Sequence, residues 1–429
     1  MTLHVAIIGA GIAGPTLALH LQSHPSITTT IYEARPHGSI EEGQHISLAP
    51  NALRVLSHIG VSAKLNAIGN SYEELGLRNA AASKIAEFDN GSVDRYGFTA
   101  MRIHRRHVAR VLVEECEQRG VRMRWGVKLK GLVEREDGRV EMRFAEADGK
   151  GVKEVADLVV GADGLHSVVR EYVNPGSESV FEHMLGVTGY LQRSELGALV
   201  EGVQLPSHFI GKNGFMAIMP SDVAGEEIGF FSTMEFPQER TRGEWRALYD
   251  DKEQIRQILK DRFNAAEGWC DLVSGVCEVS KAQTLCSWPF FIAPPMPRWR
   301  SSSDRVIILG DAAHAMIPTG GLGASLALED AECLSQTIRS WTDAKLDRQA
   351  LHSRMEKWEA HRRERLALVQ DFTNKNRWMR AAGGTWAFQY LKEWFMWAFF
   401  KFVGSGGQAD PIYRYDAKIF AQSLSDSQV

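Results

Sequence analysis

Paired cysteines, clustered basic residues and long apolar runs are all scarce in this 429-residue chain. Its five cysteines form no CxxC pair and are odd in number, which fits neither a disulfide framework nor a zinc site. We therefore expect no bound metal and a reducing compartment, the cytoplasm. The formal charge of -4 and the absence of a basic stripe argue against a nucleic-acid partner.

The sequence also shows no pattern typical of a targeting segment or of a membrane-spanning segment. The apolar start, MTLHVAIIGAG, lacks a basic flank and a cleavage site, so we interpret it as a first strand. The aromatic segment 386–402 is interrupted by Lys392 and Glu393, and its apolar stretch falls short of the roughly 20 residues that span a bilayer. We expect no transmembrane helix. The segment is expected to pack over the first domain or a partner subunit, with peripheral lipid contact as the alternative.

The pattern of the remaining chain predicts an α/β fold with two connected domains and a terminal appendage. A strand at 3–8, a glycine turn, a helix at 12–23 and a strand at 27–32 form one mononucleotide-binding unit. Residues 121–160 have the alternation of a β-meander. The oligomeric state is not predicted.

The predicted boundaries make the first domain discontinuous. A Rossmann-like nucleotide-binding domain comprises 1–72, 99–177 and 285–345. Residues 73–98 and 178–284 form an inserted, mainly β-sheet domain that binds the substrate, because this stretch is rich in short strands, glycine turns and aromatic residues. Residues 346–429 form a C-terminal helical region.

The turn after the first strand carries a dinucleotide fingerprint. Gly9, Gly11 and Gly14 can make the tight turn, admit a pyrophosphate against the backbone, and bring helix and strand together. Glu33 ends the second strand, where a carboxylate accepts bonds from ribose hydroxyls. Arg35 pairs with a phosphate or lies at the surface; both interpretations stay open.

Three further segments resemble those of the flavoprotein aromatic hydroxylases, the group that includes p-hydroxybenzoate and salicylate hydroxylases. Arg105 in RRHVARVL is similar to the start of a helix in that family, Gly161-Ala162-Asp163-Gly164 to its second nucleotide motif, and Gly310-Asp311-Ala312 to its third. The order and spacing match over most of residues 3–340. The resemblance implies a Rossmann-like FAD-binding domain of the glutathione-reductase type (its second subgroup), with non-covalent FAD and NADPH or NADH as a transient reductant.

Each of these segments also has a physical interpretation. Gly310 admits the cofactor at a strand end, and Asp311 can bind a ribityl hydroxyl. Gly321, Gly323 and Ala324 approach a helix whose amides could hold the pyrimidine edge of the flavin. By the resemblance, Asp163 serves both FAD and the nicotinamide nucleotide. The alternative for Asp163 and Asp311 is a turn residue after a buried strand.

Two residues are candidates for catalysis. Gln44 and His45 fall in EEGQHISLAPNALRVL, whose family counterpart lines the isoalloxazine ring, so both are candidate flavin contacts. His45 is either a proton relay or a loop histidine bonded to backbone. Tyr190 in the substrate domain is either a group that favours a deprotonated phenol or a sheet residue with a satisfied hydroxyl.

The resemblance implies a monooxygenase that consumes NAD(P)H and dioxygen. One oxygen atom would pass, through a flavin hydroperoxide, to a small aromatic, phenolic or polyketide-like substrate of secondary metabolism. An epoxidase, a Baeyer-Villiger oxygenase and a flavin-binding redox sensor without turnover are alternatives. A flavin-dependent halogenase is disfavoured because its Trp-x-Trp-x-Ile-Pro signature is absent.

Overall fold

The computed structural model describes residues 2–39, 45–345, 347–381, 384–404 and 407–420. Its strands are β1 (Leu3–Ile8), β2 (Ile27–Glu33), β3 (His45–Leu48), β4 (Asn70–Tyr72), β5 (Glu74–Asn79), β6 (Lys84–Asp89), β7 (Ala100–His104), β8 (Arg122–Trp125), β9 (Val127–Glu134), β10 (Val140–Glu146), β11 (Gly151–Ala156), β12 (Leu158–Gly161), β13 (Val180–Gln192), β14 (Ser207–Gly211), β15 (Gly214–Pro220), β16 (Glu227–Glu235), β17 (Cys286–Ile292) and β18 (Val306–Ile308).

The α-helices follow in the same chain order. They are α1 (Ala13–Gln22), α2 (Pro50–His58), α3 (Ser62–Asn66), α4 (Val93–Tyr96), α5 (Arg105–Gln118), α6 (Val168–Val173), α7 (Arg193–Leu196), α8 (Arg242–Asp250), α9 (Lys252–Arg262), α10 (Asp271–Val279), α11 (Asp311–His314), α12 (Gly323–Asp343), α13 (Arg348–Arg380), α14 (Trp386–Val403) and α15 (Asp410–Tyr413).

A parallel five-stranded sheet organises the first part of the fold. Its strand order is β18-β12-β1-β2-β8, and every pair in it is parallel. The central strands are apolar and buried because helices such as α1 and α6 pack on the sheet. In a parallel sheet all strands end at the same edge, so the loops after β1, β2, β12 and β18 meet there.

The predicted meander over 121–160 is only partly correct. β9, β10 and β11 form a three-stranded antiparallel sheet, whereas β8 and β12 join the parallel sheet. The apolar run of β12 is buried throughout, which is the pattern of a parallel strand covered on both faces. The small sheet packs on the parallel one through Tyr32 and Phe144, whose rings stack with centroids 4.6 Å apart.

A second, seven-stranded sheet carries the order β17-β13-β16-β15-β14-β5-β6. β5 therefore pairs with β14, and β6 pairs with β5 at the edge of this sheet. β17 lies in this sheet as the neighbour of β13, although the predicted boundary at 285 assigns it to the first domain. Sheet packing decides its place: Gly186 leaves room for the ring of Phe290, which a Cβ there would approach to 2.6 Å. Helices α8 to α10 cover one face of this sheet and were not predicted.

The C-terminal helices return along the molecule. α13 follows α12, and α14 lies against β6, at the edge of the seven-stranded sheet, with Phe400 and Phe88 in edge-to-face contact at 4.9 Å. The aromatic segment is expected to pack over the first domain or a partner subunit, but its inward apolar residues pack against the core next to β6 and not against the parallel sheet. Packing against a partner subunit stays a prediction. Within the described residues, we find no helix with the length and apolarity needed to cross a membrane.

Candidate active site

The glycine turn after β1 shows two kinds of constraint. A Cβ on Gly9, whose φ is +109°, would lie 2.4 Å from the carbonyl oxygen of Ala162, and one on Gly14 would lie 2.1 Å from that of Gly9. These two glycines are required by packing. A Cβ on Gly11 would meet nothing within 4 Å, so the space before the first turn of α1 is open. This open cradle at a helix N-terminus fits a pyrophosphate.

Glu33 lies beside that turn. Its Oε2 accepts a hydrogen bond from the amide of Ala10 at 2.8 Å, and its Oε1 accepts from the Arg35 amide and Nε at 3.0 and 2.9 Å. Burial opposes ionisation of Glu33, but these hydrogen bonds outweigh it and lower the pKa of the carboxyl group. The carboxylate is thus ionised, and Arg35 is its ion-pair partner. A contact between Glu33 and a ribose stays a prediction.

Asp163 follows β12 at the same edge. Its carboxylate accepts from the Ser167 hydroxyl and from the amides of Val168 and Val169, at the start of α6. Burial raises its pKa despite these bonds. The carboxylate therefore has the local role of a helix-capping turn residue, while the backbone of the same loop contacts Gly9. A direct nucleotide contact by Asp163 stays a prediction.

Gly310 and Asp311 follow β18. Gly310 has a φ of +58°, and a Cβ there would lie 3.1 Å from Cβ of Ala327 and 3.6 Å from that of Ala13. The third motif therefore contacts both α12 and the start of α1. Asp311 begins α11 and is exposed, so its carboxylate is accessible to a ligand.

A buried ionic network supports this turn and was missed by sequence reasoning. Asp330 accepts from Gly310 N, His314 and Arg362, and Glu329 accepts from Asn51, Arg362 and Arg365. Both carboxylates are fully buried on α12. Burial opposes ionisation of Asp330, but His314 and Arg362 lower its pKa. The adjacent acidic pair inside the apolar run LALEDAECL was the available signal, since buried charges need partners.

The loop before α12 and the start of α5 complete the predicted cofactor contacts. Gly321 has a φ of +66°, and a Cβ on Gly321 or Gly323 would meet nothing within 4 Å. Gly323 and Ala324 begin α12, and the buried hydroxyl of Ser325 has no hydrogen-bond partner in the described part of the chain. Arg105 is the exposed first residue of α5, which packs on α1.

His45 belongs to a buried polar cluster that sequence reasoning did not assemble. His45 Nε2 and His104 Nε2 lie 3.1 and 2.8 Å from the same oxygen, Oε1 of Glu227, which also accepts from the Ser221 hydroxyl at 2.6 Å. Burial lowers the pKa of His45 to about 4. Burial also opposes ionisation of Glu227, but hydrogen bonds from His104, His45 and Ser221 lower its pKa. His45 is thus neutral at pH 7, and within the described residues its ring is bonded to a carboxylate instead of to backbone.

Tyr190 lies at the edge of this cluster. Its ring centroid is 6.0 Å from that of His45 and 5.4 Å from that of His104. The three ligand atoms of His45, His104 and Glu227 lie within 4.8 Å of one another, a spacing that could also hold a metal ion. Because both ring nitrogens are already at hydrogen-bond distance from one carboxylate oxygen, we assign the cluster as a hydrogen-bonded one.

A cavity opens between the seven-stranded sheet and the loop before α12. Its lining includes Ser47, Tyr72, Leu75, Leu77, Phe88, Asp89, Asn90, Arg102, His208, Phe215, Ala217, Met219, Phe231, Pro318, Gly320, Gly321 and Leu322. The apolar side chains come mainly from the sheet, and the glycines come from the predicted flavin loop. Neither His45 nor Tyr190 is among its lining residues.

Arg102 is a buried cation in the lining of this cavity. Its Nη1 donates to the Ser47 hydroxyl at 3.1 Å, and its buried Nε has no partner among the residues that the structure describes. Burial lowers its pKa to about 10. Asp89, the lining carboxylate, lies 3.6 Å from Arg95. Sequence reasoning missed Arg102, because a basic residue in a short strand has no distinguishing pattern.

The structure thus brings three of the predicted nucleotide loops to one edge of the parallel sheet. Residues 9–14, 33, 162 and 310 lie in direct contact or are bonded to a common turn. His45 and Tyr190 form a neighbouring cluster, and Gln44 lies outside the described residues.

Comparison with known proteins agrees with this geometry. A family model described as "FAD binding domain" matches residues 2–373. The 6-hydroxynicotinate 3-monooxygenase of Bordetella bronchiseptica is 27% identical over 398 residues, which cover 90% of this chain and 94% of that protein. A 3-amino-4-hydroxybenzoate 2-monooxygenase of Streptomyces platensis is 30% identical over 337 residues, covering 78% and 79%.

A solved structure shows the same fold. A salicylate hydroxylase substrate complex superimposes with a TM-score of 0.78 at 21% identity, covering 99% of this chain and 98% of that one. These findings confirm the predicted family and its FAD cofactor. The chain therefore belongs to the FAD-binding domain family, among the flavoprotein aromatic hydroxylases that its nucleotide motifs resemble.

Proposed function

We propose that this protein is an FAD-dependent, NAD(P)H-consuming monooxygenase that adds one oxygen atom from dioxygen to an anionic aromatic substrate, an aromatic acid above all. The observation that carries the substrate class is Arg102, a buried cation in the lining of the cavity next to the flavin loop. A buried charge is costly without a partner, and the Ser47 hydroxyl is neutral. A substrate carboxylate supplies the missing charge.

The residues at the edge of the parallel sheet would hold the cofactor. Gly11 leaves room for the pyrophosphate, Glu33 faces the ribose, Asp311 is accessible to the ribityl chain, and Gly323 and Ala324 offer helix amides to the ring. Arg105 is the proposed phosphate contact of α5. When bound, FAD supplies electron transfer from NAD(P)H and the activation of dioxygen.

The cavity walls orient the bound substrate and exclude water from it. Leu75, Leu77, Phe215 and Met219 are buried apolar side chains that exclude water from a bound ring. Arg102 fixes the anionic group of the ring at one end. The reacting carbon is thereby held toward the glycines of the loop before α12.

Tyr72 is the proposed proton-handling group of the cavity. Its hydroxyl accepts from Asn90 Nδ2 at 3.0 Å, and Asn90 Oδ1 accepts from the Tyr413 hydroxyl at 2.8 Å. Burial raises the pKa of Tyr72, so its hydroxyl stays protonated at neutral pH and can donate to a substrate oxygen. In this proposal His45 and Tyr190 act indirectly, by positioning the strand that carries Ser47.

The relatives support an anionic ring. Their names specify 6-hydroxynicotinate and 3-amino-4-hydroxybenzoate, which are both carboxylated aromatic compounds. A redox sensor without turnover is an alternative that the assay below separates, because it yields no product. Epoxidation and Baeyer-Villiger oxidation also add one oxygen atom, so the position of that atom in the product distinguishes them.

The test compares charged and neutral ligands of the same shape. The FAD-loaded protein is mixed with NADPH or NADH and a panel of hydroxylated aromatic acids, each paired with its primary amide. We expect the acids, and not the amides, to stimulate NAD(P)H oxidation and to yield a product heavier by one oxygen that derives from isotopically labelled dioxygen. A flavin that NAD(P)H cannot reduce, or equal stimulation by acid and amide, would contradict the proposal.

A further inference from the structure

Helix α14 exposes its aromatic side chains and turns its central charged residues inward. Nine aromatic or leucine side chains between Trp386 and Phe402 are exposed by at least 36%, and Phe402 reaches 80%. The two charged residues in the middle of the helix point inward instead. Lys392 donates to the Ala381 carbonyl at 2.7 Å, and Glu393 accepts from Asn79 and Gln389. A surface helix normally places charges outward and apolar residues inward.

The exposed side chains surround most of the helix. At 100° per residue, the nine of them cover an arc of about 220°, and the inward residues Gln389, Lys392, Met396 and Phe400 occupy the remainder. We call the exposed set the aromatic face. The exposed Lys401 lies beside this face, at the C-terminal end of the helix, with Nζ 4.5 Å from the Trp397 ring centroid.

The aromatic face is larger than the apolar patches on the surface of ordinary monomeric proteins. With about 150–250 Å² per aromatic side chain, the exposed portions amount to on the order of 1,000 Å². The largest apolar patch on a typical monomer is about 300–600 Å². A surface this large needs a covering partner.

The angular width of the aromatic face distinguishes between two partners, a second copy of the chain and a lipid layer. A second copy of the chain, packing helix against helix, covers an arc of about 100°. That contact would bury roughly half of the aromatic face, less than the about 800 Å² per partner of a stable interface. A lipid headgroup layer is fluid and surrounds a helix on every exposed side. Trp, Tyr and Phe are also the side chains favoured at that depth, and a terminal lysine can extend to the headgroups.

We propose that the aromatic face of α14 attaches this protein to a lipid surface, with the helix lying in the plane of the headgroups. The inner side of the same helix contacts Phe88, a residue of the cavity lining. The attached membrane would therefore lie on the cavity side of the molecule. This inference is independent of the proposed oxygenation, because it rests on α14 alone.

The test uses the full-length, FAD-loaded protein and vesicles of phosphatidylcholine, with or without phosphatidylserine. We expect the wild-type protein to float with both kinds of vesicle and its tryptophan emission to shift to shorter wavelength. The triple variant Trp386→Ser, Trp394→Ser, Phe402→Ser should bind the vesicles more weakly by about tenfold or more. Its flavin absorption should be unchanged. The matched control, Val93→Ser, Val133→Ser, Val223→Ser, removes three exposed apolar residues elsewhere and should bind as the wild type does.

Two results would overturn the proposal. One is a wild-type protein that stays with neither kind of vesicle. The other is a wild-type dimer in sedimentation velocity that the triple variant converts to a monomer, which would make a second copy the partner. A measurement without variants guards against misfolding: lipids brominated in their acyl chains should quench wild-type tryptophan emission, and unchanged emission counts against the proposal.

Discussion

The backbone amide of Gly310 donates a 2.9 Å hydrogen bond to Oδ2 of Asp330, which ties the third nucleotide turn to the helix that follows it. The same oxygen accepts from His314 Nε2 at 2.6 Å, and Oδ1 accepts from Arg362 Nε at 2.7 Å. The turn proposed to face the cofactor thus depends on a fully buried ion pair, so we expect stability and cofactor binding to be interdependent.

The first prediction concerns Arg362, which is fully buried between Asp330 and Glu329. Arg362→Met should lower the free energy of unfolding by about 3–5 kcal/mol, because removing one partner leaves buried carboxylates uncompensated. Urea unfolding measures the loss. Arg363→Met is the matched control, since Arg363 pairs with Glu359 at a more exposed position, and its loss should stay within about 1 kcal/mol. Equal losses would contradict the role of the network.

The second prediction separates two glycines of one motif. Gly11→Ala adds a Cβ that meets no described protein atom within 4 Å, so the apoprotein should keep its stability within about 0.5 kcal/mol. FAD binding should weaken about tenfold or more, because that Cβ enters the space proposed for the pyrophosphate. Gly14→Ala should instead destabilise the apoprotein by about 1–3 kcal/mol, since its Cβ would lie 2.1 Å from a backbone oxygen.

Flavin fluorescence titration and thermal unfolding of the apoproteins measure the two effects. If Gly11→Ala bound FAD as tightly as the wild type, the open cradle before α1 would not be the pyrophosphate site.

The third prediction concerns Arg102. Arg102→Met should lower kcat/KM for an aromatic acid about 100-fold or more, because a charge-assisted contact to the substrate is worth about 3 kcal/mol. Arg102→Lys keeps the charge and should recover part of the loss, while Arg139→Met in an exposed hairpin should have no effect. Steady-state NAD(P)H oxidation provides the measurement. A loss of FAD absorption in Arg102→Met would point to a structural role instead.

The fourth prediction concerns pH. The pKa of His45 is lowered to about 4 in the folded protein, below its ordinary value of 6.5, so the unfolded chain binds more protons between these values. Stability therefore falls as the pH drops from about 6.5 to about 4, and His45 contributes on the order of 3 kcal/mol to that fall. His45→Gln should flatten this part of the profile.

Urea unfolding at a series of pH values provides the measurement. His37→Gln removes an exposed histidine, 65% accessible, and should leave the slope unchanged. A profile of His45→Gln parallel to that of the wild type would show that the buried histidine does not titrate as described.

The sequence predicted local elements of the fold better than it predicted the residues that meet in the active site. The first strand lies at 3–8, as predicted, and the glycine turn after it lies where its motif places it, because both depend on neighbours within a few positions. The partners of the polar clusters are distant. His45 and Glu227 are 182 residues apart, and Asn51 and Glu329 are 278 apart. Local patterns carry no information about such pairs.

By itself the sequence determined the family, the flavin cofactor and the positions of the nucleotide loops. Each depends on a short motif, in which glycine permits a tight turn or an acidic residue stands at the end of a strand. Tertiary structure alone decided which charges are buried together and which face α14 exposes. Arg102 became a candidate substrate contact only when β7 placed it in the cavity lining, and Asp330 became a support for Gly310 only when the fold brought α12 to the turn after β18. Burial and pairing are properties of the assembled fold, since they depend on which distant segments exclude water from each side chain.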